Sequence, residues 1–171
     1  SIENAGKNKV WAGTLGRGLF RIDKNSGKTE SLSDINSSIA EAINPYILSL
    51  AKDNNGQLWV GTSNGVTRLS SDLKSYKTFL YDSLNNSGVG ENAITDIYHS
   101  RDNQTWLSTN GGGVVIINAN DSITFLNTSN GLSHEKVYCV FQDCADDYWI
   151  ATYNGLNRYD PKTKNKATFF S

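Results

Sequence analysis

The tightest constraint on this chain is a tryptophan hairpin that recurs four times. Its clearest copy runs Leu58-Trp59-Val60-Gly61-Thr62, then a Ser63-Asn64 turn, then Gly65-Val66-Thr67-Arg68-Leu69. Two apolar runs joined by Asn and Gly read as adjacent antiparallel strands, because those residues accept the left-handed backbone of a tight hairpin. The tryptophans stand at Trp11, Trp59, Trp106 and Trp149, at intervals of 48, 47 and 43 residues. Three residues after each comes a threonine: Thr14, Thr62, Thr109 and Thr152. Gly18-Leu19, Gly65-Val66, Gly113-Val114 and Gly155-Leu156 then open a second apolar strand. Self-similarity at this period marks a repeat architecture.

With the tryptophans in register, the preceding segments align without gaps. Ile47 and Leu50, Ile94 and Ile97, and Val137 and Val140 occupy matching positions, each pair leading through a polar turn back to the Trp. The same register puts Ile2 where Leu50, Ile97 and Val140 stand. The partner of Ile47 would precede Ser1, so the chain is expected to begin part-way along a strand, as an excerpt of a larger protein. After each hairpin comes a weaker outer strand, at Lys28–Leu32, Ser75–Tyr81, Ser122–Asn127 and Lys166–Phe170. Longer polar connections follow at Ser33–Pro45, Asp82–Asn92 and Thr128–Lys136.

Each unit is thus expected to be a four-stranded antiparallel meander, with blades at about 1–35, 45–82, 92–128 and 136–171 and the first lacking most of its inner strand. The second strand is apolar on both faces, as in Tyr148-Trp149-Ile150, so each small sheet needs a cover on both sides. Sheets stacked face to face round an axis form a β-propeller, and the fold class is all-β, a partial propeller of four blades. The small residues Gly13, Gly61, Ser108 and Ala151 would relieve crowding between neighbouring sheets. Each Trp would bury up to ~150 to 250 Å², worth several kcal/mol per blade at ~25 cal/mol per Å² before entropy is counted.

Charge is nearly balanced, 16 Lys+Arg against 17 Asp+Glu, with no basic stripe, which argues against a nucleic-acid partner. No apolar run approaches ~18 residues and no leader is recognisable, so neither a membrane span nor a signal peptide is expected in this chain. Cys139 lies on a predicted strand and Cys144 in the turn after it, too far apart along an extended backbone to bridge, so both are read as free thiols. There is no Cys-x-x-Cys, and the two histidines are His99 and His134; no metal or other cofactor is expected.

The aligned pattern resembles the two-component regulator propeller repeat, with its Asp-x-x-Gly, Leu-Trp-Ile-Gly-Thr and Gly-Leu-x-Arg-Tyr-Asp. It is carried by Asp53-Asn54-Asn55-Gly56-Gln57-Leu58-Trp59-Val60-Gly61-Thr62, by Trp149-Ile150-Ala151-Thr152 with Gly155-Leu156-Asn157-Arg158-Tyr159-Asp160, and by Trp11-Ala12-Gly13-Thr14 with Gly18-Leu19-Phe20-Arg21-Ile22-Asp23. The third unit departs, with Ile116 where Arg21, Arg68 and Arg158 stand and Ser100 in place of the turn Asp. The resemblance implies a piece of a seven-bladed propeller in the periplasmic sensor region of a bacterial hybrid two-component histidine kinase. It also implies an oligosaccharide released from a complex glycan as ligand, with phosphotransfer in domains outside this chain. The missing blades would leave two broad faces open, which favours a homo-oligomer.

Other motifs carry plainer readings. Asn110-Gly111-Gly112-Gly113 lacks the Lys-Ser/Thr and helix of a phosphate loop and reads as a hairpin turn. The turns around Asp53, Asp102 and Asp143 read as Asx turns rather than calcium loops. Arg21, Arg68 and Arg158 are expected to link blades through backbone carbonyls. In such a meander the hairpin turns and the connections between blades open on one side. That assigns a ligand face to Arg17, Asn64, Asn110, Tyr153 and Asn154 from the turns, with Tyr46, Asn92, His134 and Glu135 from the connections. Amides and aromatic rings suit sugar hydroxyls and C–H faces. No catalytic residue is assigned. Two alternatives stand beside this: a lyase-type propeller enzyme using a histidine and a metal, and a scaffold that binds a protein partner.

Overall fold

The structure, a computed structural model, describes residues 1–80, 93–162 and 168–170. The described residues form four separate four-stranded antiparallel sheets, each in chain order. Blade one comprises β1 (Ile2–Asn4), β2 (Lys9–Gly13), β3 (Leu19–Asp23) and β4 (Thr29–Ser31); blade two comprises β5 (Ile47–Lys52), β6 (Leu58–Thr62), β7 (Gly65–Leu69) and β8 (Tyr76–Phe79). Blade three comprises β9 (Ile94–His99), β10 (Thr105–Thr109), β11 (Val114–Ile117) and β12 (Ile123–Leu126). Blade four comprises β13 (Val137–Gln142), β14 (Tyr148–Thr152), β15 (Gly155–Tyr159) and β16 (Thr168–Phe170). This is the all-β propeller-blade architecture that the repeat implies. The expected register holds: Ile2, Leu50, Ile97 and Val140 face Ala12, Val60, Leu107 and Ile150.

The inner strands lie side by side, β1 against β5, β5 against β9 and β9 against β13. Three apolar clusters then fill the three junctions. Trp11 packs with Ile47, Leu50 and Val60 of blade two, Trp59 with Ile94, Ile97 and Leu107 of blade three, and Trp106 with Val137, Val140 and Ile150 of blade four. Each of these three tryptophans therefore stabilises its own sheet by covering the next one. Trp149 has no following sheet among the described residues and is only half-buried, with Phe170 beside it at 5.8 Å. Gly13 and Gly61 do relieve crowding. A Cβ on Gly61 would come within 2.9 Å of Ile94 Cγ2, and one on Gly13 would collide with Ile47, in each case at the start of the next inner strand.

Two expectations are corrected. The Ser33–Pro45 connection is not merely polar: Leu32–Ile35 forms α1 and Ser37–Ala42 forms α2, so the outer strand of blade one ends at Ser31 rather than Leu32. Ser31 caps α1 through the Asp34 N–H and Asn36 caps α2 through the Ile39 N–H, and Leu32, Ile39 and Ile43 sink into the first junction. Among the described residues Arg21, Arg68 and Arg158 do not bind backbone carbonyls. They pair with carboxylates, Arg21 with Glu30 and Arg158 with Asp147 inside their own blades, while Arg68 forks onto Asp121 of blade three at 2.7 and 3.1 Å. Guanidinium geometry matches a two-oxygen acceptor better than a single carbonyl. The Asp82–Asn92 connection, Tyr81 and the start of the last outer strand lie outside the described residues. Both cysteines are free and exposed.

Candidate ligand-binding face

Every hairpin is clasped by its own threonine. Thr14, Thr62, Thr109 and Thr152 donate Oγ1–H to the carbonyls of Gly18, Gly65, Gly113 and Gly155 at 2.8–3.0 Å. The same oxygens accept N–H groups from the turns, including those of Arg17, Asn64 and Asn154. One hydroxyl thus satisfies two backbone groups that a two- or three-residue turn would leave open.

The turns and connections meet on one side, through the backbone. Pro45 O accepts from Gly16 and Gly18 N–H of blade one, and Tyr46 O accepts from Ser63 N–H of blade two. Asn110 N–H donates to Ala93 O, Gly113 N–H to Glu135 O, and Tyr153 N–H to Lys136 O. The connections entering blades two and four are each laced between two hairpins, so those parts of the rim are held by backbone bonds rather than by loose loops.

The residues assigned from sequence fall into neighbourhoods along this rim. At the first junction the ring of Tyr46, 53% exposed, covers Gly16 next to Arg17, and the Tyr46 backbone forms an isolated β-bridge with Leu15, which is 73% exposed. Asn64 sits one hairpin further on. Asn110 belongs to the second junction, and Asn92 lies outside the described residues. At the third junction His134, Tyr153 and Asn154 come together: the His134 and Tyr153 rings are 5.2 Å apart, and Tyr153 is 67% exposed. His134 Nδ1 accepts from Lys136 N–H, which fixes the ring and makes Nε2 the protonated nitrogen of the neutral form. Glu135 turns away, its Oε1 accepting from the N–H and hydroxyl of Thr128 and thereby tying down the loop that precedes it.

Lys136 and Tyr138 belong to this group and were missed. The Lys136 Nζ lies 5.8 Å from the centre of the Tyr153 ring and 5.7 Å from that of Tyr138, which is 48% exposed. Tyr138 is the extra residue of a β-bulge between Val137 and Cys139, and the same irregularity recurs at Leu48 and Thr95. A bulge re-aims a side chain without changing residue spacing, so an ungapped alignment gives no sign of it. The arrangement offers two aromatic faces, an ammonium group and an imidazole edge to a ligand that is part ring and part hydroxyl.

The second histidine stands at the other end of the blades. His99, the last residue of β9, stacks obliquely on Trp59 at 5.7 Å and shares a hydrogen bond between Nδ1 and Thr105 Oγ1, while Nε2 is buried without a partner among the described residues. Burial pushes this imidazole below its ordinary value, against a smaller upward pull from the Asp53 carboxylate. Below about pH 6.5 the unfolded chain therefore takes up a proton that the folded chain resists. Stability should rise with pH up to that point and flatten above it. Urea midpoints at pH 5.0 and 7.5 check this, and His99→Gln should shrink the difference. The aspartates held low, Asp121 by Arg68 and Asp143 by the Trp149 N–H, lose their contribution only in a more acidic window, below the ordinary carboxylate value.

Comparison with known proteins bears on the repeat and the fold. The family model described as two component regulator propeller matches residues 41–64, from the end of α2 through β5 and β6 into the hairpin turn. Histidine kinase P4 from Formosa agariphila is 29% identical over 161 residues, which cover 91% of this chain and 12% of that protein. Among solved structures, the extracellular domain assigned to a hybrid two-component system of B. thetaiotaomicron superposes with a TM-score of 0.71 at 22% identity, over 92% of this chain and 19% of that one. Virginiamycin B lyase from Staphylococcus aureus superposes at 0.69 with 16% identity, over 99% of this chain and 54% of that one. The chain thus spans a small part of the kinase and of the receptor domain it matches. Four copies of one hairpin stand in a shared register, and the one matched by the family model makes the chain similar to two-component regulator propeller repeats.

Proposed function

We propose that the chain is part of the extracytoplasmic sensor propeller of a bacterial hybrid two-component histidine kinase, periplasmic in place and non-catalytic in itself. The likeness to a histidine kinase across 91% of the chain supports this reading, with phosphotransfer assigned to the remainder of such a protein. No helix among the described residues is long and apolar enough to cross a membrane, so anchoring would also fall to other segments.

The ligand in this reading is a glycan-derived oligosaccharide taken up on the hairpin face. The observation that carries it is the exposed Tyr153 ring, with the His134 ring tilted against it and the Lys136 ammonium over one face, because stacking on an aromatic face is how sugar C–H surfaces are bound. In the intact receptor, Tyr153→Ala with Asn154→Ala should weaken oligosaccharide binding by roughly tenfold or more in calorimetry. Unchanged affinity would remove this face from the proposal. The lyase-type alternative would need a histidine-centred acid–base group. His99 and His134 lie at opposite ends of different blades, and neither has the other within reach. The scaffold alternative predicts that the double variant loses a protein partner and no sugar, which cross-linking of the receptor would reveal.

A further inference from the structure

We infer that the cleft between blades three and four is a binding site for an uncharged aromatic ring. The internal repeat makes the case. In blade one Trp11, Arg21 and Glu30 lie abreast across three strands, and in blade two Trp59, Arg68 and Lys77 do the same. The guanidinium groups sit 5.6 Å and 5.3 Å from the indole centres, and beside Trp59 the groove that Arg68 lines holds about 100 Å³. In blade three the same row reads Trp106, Ile116 and Thr124. The long charged side chains of the sister rows are replaced by two short uncharged ones. What is left beside Trp106 is a cleft of about 350 Å³.

Its walls choose the ligand. Phe125 and Tyr159 present rings from the two blades, Tyr159 meeting Trp106 edge-on at 5.9 Å, and Ile116 forms the floor. The amides at the rim are already engaged: Gln104 accepts from the Trp106 indole N–H and donates to Asn118, and Asn130 donates to Phe125 O and accepts from Asn127 N–H. The described lining residues include neither an acid nor a base, whereas the clefts beside Trp59 and beneath Tyr148 carry both. A charged guest would be desolvated without a counter-ion, which costs more than ring contacts return. An uncharged ring loses little water and gains stacking and edge contacts. Apolar voids of about 150 Å³ already admit benzene.

Phenol is the probe, with benzamidinium and benzoate as charged rings of the same size. The indole N–H signals of the four tryptophans report the titration by NMR, assigned through single Trp→Phe variants. Phenol should shift the Trp106 signal saturably and leave Trp11 unmoved, while the two charged rings do not. Ile116→Arg restores the residue that the three sister blades carry and should weaken phenol by roughly tenfold or more. Thr124→Lys, at an exposed position, provides a second block that leaves the core intact. The inference is overturned if phenol leaves Trp106 unmoved, if all four indoles shift alike, or if phenol binds both variants as well as the parent chain. It rests on the repeat geometry alone and stands or falls independently of the sensor reading.

Discussion

Trp106→Ala lowers the unfolding free energy by about 3–5 kcal/mol, while Trp149→Ala, the same residue one blade later, costs roughly a third as much. The difference is one of cover. Trp106 is 1% exposed, stacks on Tyr148 at a centroid distance of 3.8 Å and lies in the apolar cluster that joins blades three and four. Removing it opens a cavity the size of an indole in a junction that cannot collapse, because inner strands β9 and β13 hold the two sheets at fixed spacing. Trp149 looks onto a sheet face where Phe141 and Phe170 are 58% and 45% exposed, so its loss removes less buried area and leaves no closed void. Urea unfolding followed by far-ultraviolet circular dichroism measures both. Since repeat units are stabilised chiefly by nearest neighbours, the Trp106 variant should also lose blade four first and broaden the transition. Equal losses for the two variants would mean that the tryptophans act within their own sheets, and the stacking account of this fold would fail.

The contrast between these two residues also measures what the sequence made legible. The register, the four-strand units and the crowding at Gly13 and Gly61 follow from spacing and side-chain size, which are printed in the sequence. The indole contacts are harder to foresee. Trp59 and Trp149 donate their ring N–H to Asp53 and Asp143, six residues back, and those same carboxylates close the preceding turn. An Asx turn was foreseen; its second task, anchoring the Trp of its own repeat, was not. In blade three, where Ser100 replaces the Asp, Ser100 Oγ closes the turn and Gln104 takes over the indole, so one lost carboxylate is replaced by two residues.

Other features escaped for different reasons. The helices α1 and α2 span one or two turns each, too short for a 3.6-residue period to declare itself, and the buried Leu32 and Ile39 within them and Ile43 at the C-cap read as scattered apolar residues in a polar loop. On the candidate face, topology was enough to place turns beside connections. It could not say that Glu135 would turn back onto Thr128 or that Lys136 would stand between two tyrosines. Those outcomes depend on particular partners, Thr128 for Glu135 and the bulged Tyr138 with Tyr153 for Lys136, not on any local pattern.

A single methyl group at Gly65 should destabilise the chain nearly as much as the loss of a buried aliphatic side chain, by about 2–4 kcal/mol, and Gly18→Ala by only about 1 kcal/mol. Both glycines carry a positive φ at the start of the third strand of their blade, +92° and +74°, which an alanine adopts only under strain. Their surroundings differ. A Cβ at Gly18 meets nothing within 4 Å, so backbone strain is the whole cost. At Gly65 it would stand 2.5 Å from Phe79 O and 3.3 Å from Leu80 Cδ2, at the end of outer strand β8. A backbone carbonyl of a paired strand cannot swing aside as a side chain would, so relief requires β8 to separate from β7 or the hairpin to unclasp from Thr62. Amide hydrogen exchange distinguishes the two: faster exchange in Tyr76–Phe79 means that the outer strand gives way, and faster exchange at Asn64, whose N–H the Thr62 hydroxyl accepts, means that the turn does. Equal destabilisation by the two alanines would show that left-handed backbone alone selects glycine here, and that the close passage of the outer strand plays no part.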